Sequence, residues 1–273
     1  MKSEWKRYAA RDFSSLPYVH FKNEGHTNNR AFIMIHGVTA EVDHHEEMAR
    51  TYHAGGDIFL PILRGYDNNH PKGDLDYIGQ YDDDLFDFIH FVRKQGFTEI
   101  ILAGHSMGCA NLLRLIHKNK DAADGYVFFA PYFHPGLPVY QDDANEQFKP
   151  STDVDYKVYS KKATLLAVLQ KMGINRWNGQ TVAIIPDEFN QGSLVHLTFR
   201  LLISRFLETM PNDEMPERFM TFIGEDDEVI VSSKLQEWHE KTFKQKVMII
   251  PGEDHNHLLH NETVHQQLDK LLS

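Results

Sequence analysis

The stretch Glu99-Ile100-Ile101-Leu102-Ala103-Gly104-His105-Ser106-Met107-Gly108-Cys109-Ala110-Asn111-Leu112-Leu113 decides the fold of this chain. Residues 99–103 read as a buried strand, and Leu112, Leu113 and Ile116 then recur at helical spacing. Between them, Gly104-His105-Ser106-Met107-Gly108 fits G-x-S-x-G. A serine on a sharp strand-to-helix turn needs glycine on both sides, because the neighbouring strand and the helix pass too close for side chains. Such a turn lifts the Ser106 hydroxyl into the crevice at the carboxyl ends of the strands, with a helix N-terminus behind it. Ser106 is therefore the candidate nucleophile.

The same rhythm extends in both directions. Upstream, Ala31-Phe32-Ile33-Met34-Ile35 is a strand-length apolar run ended by His36-Gly37, and Asp57 to Leu63 is another, ended by Arg64-Gly65. Ile78, Tyr81, Leu85, Phe88, Ile89 and Val92 mark an amphipathic helix, with Asp82, Asp83 and Asp84 expected to face outward and Gly96 as its stop. Downstream, Tyr126–Ala130, Phe219–Gly224 and Lys246–Ile250 read as further strands. Ser233 with Gln236 suggests a capping box for a helix through Leu235 and Trp238. Strands that are apolar throughout and separated by helices predict an α/β fold, a parallel sheet covered on both faces. The alternation breaks between about Pro131 and Pro216, where a polar segment (Gln141 to Tyr156), a helix around Ala163 to Met172 and a second around Leu194 to Met210 are expected. There, only Thr181-Val182-Ala183-Ile184-Ile185 reads as strand. The expected organisation is a core of residues 1–130 and 217–273, with residues 131–216 inserted as a cap.

A nucleophilic serine needs a base, and the base an orienting acid, in the chain order Ser, Asp or Glu, His for this kind of turn. Gly224-Glu225-Asp226-Asp227-Glu228-Val229 follows one predicted strand end and offers four carboxylates; Asp227 is the preferred acid and Asp226 the alternative. After the last strand, Pro251-Gly252-Glu253-Asp254-His255-Asn256-His257 supplies His255 as the expected base, with His257 reading as a surface or supporting residue. An oxyanion hole takes one N–H from the residue after the nucleophile, Met107, and one from the loop His36-Gly37-Val38, where Val38 is the candidate.

Composition closes off other chemistries. Of 273 residues, 28 are basic and 39 acidic, a net charge of −11 that gives no basic footprint for nucleic acid. Cys109 is the single cysteine, so an internal disulfide and a thiolate zinc site are excluded, and it reads as a core residue. Asp43-His44-His45-Glu46-Glu47 are adjacent on a helix and point in different directions, so no metal is expected there. No segment approaches the roughly 18 apolar residues of a membrane span, and the N-terminus lacks the apolar core of a secretory signal. The expected partner is a small molecule, with no cofactor, no membrane insertion and a cytoplasmic location.

With these motifs in hand, the chain resembles the α/β-hydrolase superfamily, nearest to its serine aminopeptidase, monoacylglycerol lipase and lysophospholipase-like branch. The resemblance rests on Phe32 to Gly37, Leu63-Arg64-Gly65-Tyr66, Asp76 to Leu85, Gly104 to Gly108, Gly224 to Asp227 and Gly252 to His255. It departs at Tyr66-Asp67, where relatives often carry histidine-glycine, and at Cys109, where they often carry a further glycine. The resemblance implies that Ser106 attacks an acyl carbonyl, His255 takes its proton, Asp227 holds His255, and the Val38 and Met107 N–H groups hold the oxyanion. It implies a carboxylic-ester substrate, with Leu165, Leu166, Leu169, Phe199, Leu202 and Phe206 of the cap lining an acyl pocket. Two alternatives stand beside it. One is an aminopeptidase anchoring a substrate amine on Asp142, Asp143, Glu146, Asp153 or Asp155; the other is a ligand receptor on the same scaffold.

Overall fold

The computed structural model describes residues 2–23, 29–40, 42–52, 56–68, 70–141, 157–209 and 214–272. The predicted runs become β3 (Arg30–Ile35), β4 (Asp57–Pro61), β5 (Glu99–His105), β6 (Gly125–Phe129), β10 (Phe219–Gly224) and β11 (Met248–Ile250). They lie side by side in the order β4-β3-β5-β6-β10-β11, all parallel. Helices α1 (Val42–Thr51), α2 (Gln80–Lys94), α3 (Gly108–Lys118), α6 (Ser232–Phe243) and α7 (Glu262–Leu272) connect and follow these strands. Every residue of β6 is buried, as are the last six of β5, which is why these strands carry apolar side chains on both faces.

Two further strands precede the first predicted one. β1 (Lys2–Ala9) and β2 (Ser15–Lys22) form an antiparallel hairpin, and β2 pairs antiparallel with β4, completing an eight-stranded sheet. β1 is polar and half exposed, as an edge strand of a sheet should be, and Pro17 interrupts the strand signal of β2. Neither therefore shows in the apolar pattern.

The outward placement expected for the acids of α2 is overturned for two of the three, while Asp83 stays partly exposed and pairs with Arg11. Asp82 and Asp84 are buried. Asp82 receives the Arg114 fork at 2.9 and 2.5 Å and Lys118 at 2.9 Å, while Asp84 receives the Arg64 fork at 2.9 and 2.8 Å. Carboxylates occupy these buried positions because cations from other elements meet them with paired geometry. The expected capping box is also absent: α6 starts at Ser232 after Val231, and no side chain caps it.

Between β6 and β10 the chain leaves the main sheet and builds a second one. β7 (Lys157–Val158), β8 (Thr181–Pro186) and β9 (Leu194–Thr198) pair antiparallel in that order, with α4 (Ser160–Lys171) between β7 and β8. The expected helix over Leu194–Met210 is instead β9 followed by the short α5 (Phe199–Ile203), whose N-cap Thr198 accepts the Leu201 N–H. The alternation of Val195 and Leu197 (buried) with Leu194 and His196 (exposed) has the period of a strand. The polar segment lies almost wholly outside the described residues. Arg200 and Thr198 bind Asp74, and Lys72 pairs with Asp187, tying this segment to the loop after β4. No helix among the described residues is long and apolar enough to cross a membrane.

Candidate active site

Ser106 stands at the turn from β5 into α3 with φ of +52°, a left-handed conformation that L side chains rarely adopt. The tertiary packing enforces it. A Cβ on Gly104 would come within 2.7 Å of the Cys109 nitrogen, and one on Gly108 within 2.2 Å of the Ile35 carbonyl oxygen. The Ser106 N–H donates to the Phe129 carbonyl at 3.0 Å, and its own carbonyl accepts from Tyr132 N–H at 3.1 Å. The strained residue is thus held on one side by the end of β6 and on the other by the segment that follows it.

Asp227 and His255 come together from the ends of β10 and β11. His255 Nδ1 lies 2.9 Å from Asp227 Oδ2, and both side chains are buried. The other carboxylate oxygen accepts the N–H groups of Val229 at 2.9 Å and Ile230 at 2.7 Å, so Asp227 is satisfied as an anion and aimed at the ring. Asp226 is exposed, and Glu228 accepts the His255 N–H at 3.1 Å. His257 is exposed and pairs with Asp254 at 2.6 Å.

Gly37 lies against the nucleophile, since a Cβ there would sit 3.2 Å from Ser106 Cβ. Val38, next along, is buried, and among the described residues neither its N–H nor that of Met107 donates to another protein group. The tautomer of His36 follows from its neighbours. Leu63 N–H donates to His36 Nε2 at 3.1 Å, so the ring proton sits on Nδ1, which donates to the Gly37 carbonyl at 2.7 Å. Burial, with the Arg205 charge nearby, pushes the His36 pKa well down and keeps the ring neutral.

A cavity of about 360 Å³ opens at Met107 and runs between Tyr132, Tyr140, Ala163, Ala167, Phe199, Leu202, Ile203 and Phe206. Phe199, Leu202 and Phe206 were expected there. Leu165 is instead exposed to solvent, and Leu166 and Leu169 pack with Val182 behind the cavity wall. Cys109 is buried with its thiol donating to the Gly104 carbonyl at 3.0 Å, and burial raises its pKa well above the ordinary thiol value. It is a neutral core thiol. Among the described residues no three His, Cys, Asp or Glu side chains are grouped to hold a metal ion.

The sequence matches the serine aminopeptidase S33 family over residues 27–264. The chain belongs to this family of α/β-hydrolases. No curated protein sequence matches it. Among solved structures, the fold recurs in a soluble variant of monoglyceride lipase from Saccharomyces cerevisiae, at 16% identity and a TM-score of 0.66 over 100% of this chain and 96% of that one. Carboxylesterase CesB from Bacillus subtilis is similar at 12% identity and a TM-score of 0.59, covering 100% and 92%. Est1E from Butyrivibrio proteoclasticus is similar at 16% identity and a TM-score of 0.60, covering 100% and 98%. At such identities these neighbours share the fold of this S33-family chain.

Two residues of the site carried no sequence signal strong enough to single them out. His105 occupies the first variable position of the pentapeptide, and its Nε2–H donates to the His255 carbonyl at 2.9 Å. Burial first, then the neighbouring histidines His255 and His45, push its pKa well below the ordinary value, so it serves as a neutral donor fixing the His255 backbone. The other is Arg205, which lies far from every motif.

Proposed function

We propose that this protein is a serine hydrolase of carboxylic esters. The observation that carries the reading is the buried Asp227–His255 pair at 2.9 Å, with His255 packed on His105, the residue before a serine in a left-handed turn. Ser106 Oγ adds to the acyl carbonyl while His255 Nε2 takes its proton. Asp227 holds the Nδ1–H tautomer and stabilises the imidazolium that forms. The Val38 and Met107 N–H groups receive the oxyanion, each supplying about 3 kcal/mol. His255 then protonates the leaving alkoxide, and water, activated by the same ring, releases the acid and restores Ser106.

Residues 131–216 act as a cap, and the cavity beneath it takes the acyl chain. Its 360 Å³ falls in the range of small-molecule pockets, about 300–1,000 Å³, and its walls are mostly aromatic and aliphatic, with Ser160 and Thr164 among them. No charged side chain lines it among the described residues, which favours an acyl chain over a substrate amine. The acids considered as an amine anchor, Asp142 to Asp155, lie outside the described residues. Hydrolysis of p-nitrophenyl esters of increasing chain length, beside aminoacyl-p-nitroanilides, tests the reading. Turnover of the esters that Ser106→Ala abolishes is expected; inertness toward both series overturns it, and preference for the anilides moves the substrate class to amides.

A further inference from the structure

Arg205 is the largest fully buried side chain among the described residues. Among the described residues no carboxylate lies in ion-pair range of it, although Arg64, Arg114 and Arg200 each have one. A guanidinium held dry without an anion is costly unless its donors are satisfied by well-placed dipoles. Here the dipoles that meet the two Nη groups belong to the site, while Nε–H has no partner among the described residues. Nη1 donates to the His36 carbonyl at 3.3 Å and to Asn111 Oδ1 at 3.2 Å, and Nη2 donates to the Gly37 carbonyl at 3.3 Å and to the Tyr66 hydroxyl at 2.8 Å. The guanidinium also faces the Tyr66 and Tyr81 rings, with centroids at 5.3 and 5.4 Å.

The Gly37 carbonyl and the Val38 N–H belong to one peptide unit. Donation to that carbonyl by both Arg205 and His36 Nδ1–H draws electron density away from the amide and strengthens the opposite N–H as a donor. Asn111 sits one turn past Met107 in α3, so the same guanidinium bridges the loop that carries Val38 and the helix that begins just after Met107. Its positive charge, undiluted by a carboxylate, lies behind the place where negative charge develops. The backbone around Arg205 is pinned as well. Ser204 Oγ accepts Gly79 N–H at 3.2 Å, and the Phe206 carbonyl accepts Arg114 Nη1 at 2.7 Å.

The geometry assigns Arg205 as a positioning residue of the oxyanion hole, reaching from the inserted segment to orient and polarise the Gly37–Val38 peptide. Tyr66, whose hydroxyl accepts from Nη2, is the acceptor that aims it. The inference rests on the ester-hydrolase reading and concerns its rate-determining electrostatics.

The test uses the full chain with p-nitrophenyl butyrate and a trifluoromethyl ketone, whose hemiketal oxyanion with Ser106 mimics the tetrahedral intermediate. Arg205→Met should lower kcat about 10- to 100-fold with KM changed less than about threefold, a fraction of the ~10²–10³ lost with a whole oxyanion donor. Inhibitor affinity should fall in proportion to kcat/KM. Arg205→Lys, which keeps the charge but not the fork, should recover part of the loss. Should Arg205→Met fail to show a cooperative thermal transition, Tyr66→Phe decides, with an expected three- to tenfold fall in kcat at unchanged KM. Wild-type kcat in a folded Arg205→Met protein, or in Tyr66→Phe, overturns the inference while leaving the hydrolase reading intact. A wild-type protein inert to the esters and unbound by the ketone overturns both.

Discussion

Two histidine–carboxylate pairs stand within two residues of each other and do different things. Asp227–His255 is buried, with a 2.9 Å contact and the second carboxylate oxygen filled by two backbone N–H groups. Asp254–His257 is shorter, at 2.6 Å, yet its imidazole is 65% exposed and its carboxylate 41%. Distance alone would rank the second above the first. Solvent reverses the order, because an exposed pair competes with water for every bond it makes, whereas a buried carboxylate with fixed donors is pre-aimed and stays aimed through proton transfer.

The most direct way to break this contrast is to neutralise each acid in turn. Asp227→Asn should lower kcat on a p-nitrophenyl ester by about 10⁴, through the wrong ring tautomer, while Asp254→Asn stays within about threefold. Equal losses in the two variants would show that burial is not what distinguishes them. The contrast extends to stability on α2. Arg64→Met leaves Asp84 buried without its fork and should cost about 3–5 kcal/mol in urea unfolding, against under about 1 kcal/mol for Asp254→Asn.

The exposed pair carries a smaller, pH-dependent signature. Its hydrogen bond and charge attraction to Asp254 raise the His257 pKa above 6.5. Burial works to raise the Asp254 pKa, but the His257 and Asn256 N–H groups and the His257 ring outweigh it and leave the value below 3.8. A raised histidine pKa gives stability that is present below the unfolded pKa and lost as pH rises through the folded one. The lowered carboxylate pKa gives stability present above about 3.8 and lost below it. The difference in Tm between wild type and His257→Gln should therefore be greatest between about pH 4 and 6.5 and shrink as pH rises above that range. The smallest effect is expected for Asp226→Asn, within twofold of wild type in kcat; a loss larger than that of Asp227→Asn would move the acid by one residue.

Much of this molecule was legible because its constraints are local. The turn at Ser106 is crowded by the start of α3 at Gly104 and by β3 at Gly108, so its glycines mark it within five residues, and central parallel strands such as β5 and β6 are apolar on both faces, so periodicity finds them. The hairpin β1–β2 escaped because a polar edge strand and a proline-bearing neighbour have no such pattern. β9 was read as helix because Leu194 to Met210 is apolar enough for either period, and only its pairing with β8 selects one.

The sequence by itself determined the class of the fold, the position of the candidate nucleophile and the two short windows from which its partners come. Tertiary structure decided which member of each window meets the other, since Asp226 and Asp227, or His255 and His257, differ only in the burial that distant elements impose. It also decided the place of Arg205. A buried cation among carbonyls has no sequence signature, because its partners at His36, Tyr66 and Asn111 are brought to it only by the packing of the inserted segment against the sheet.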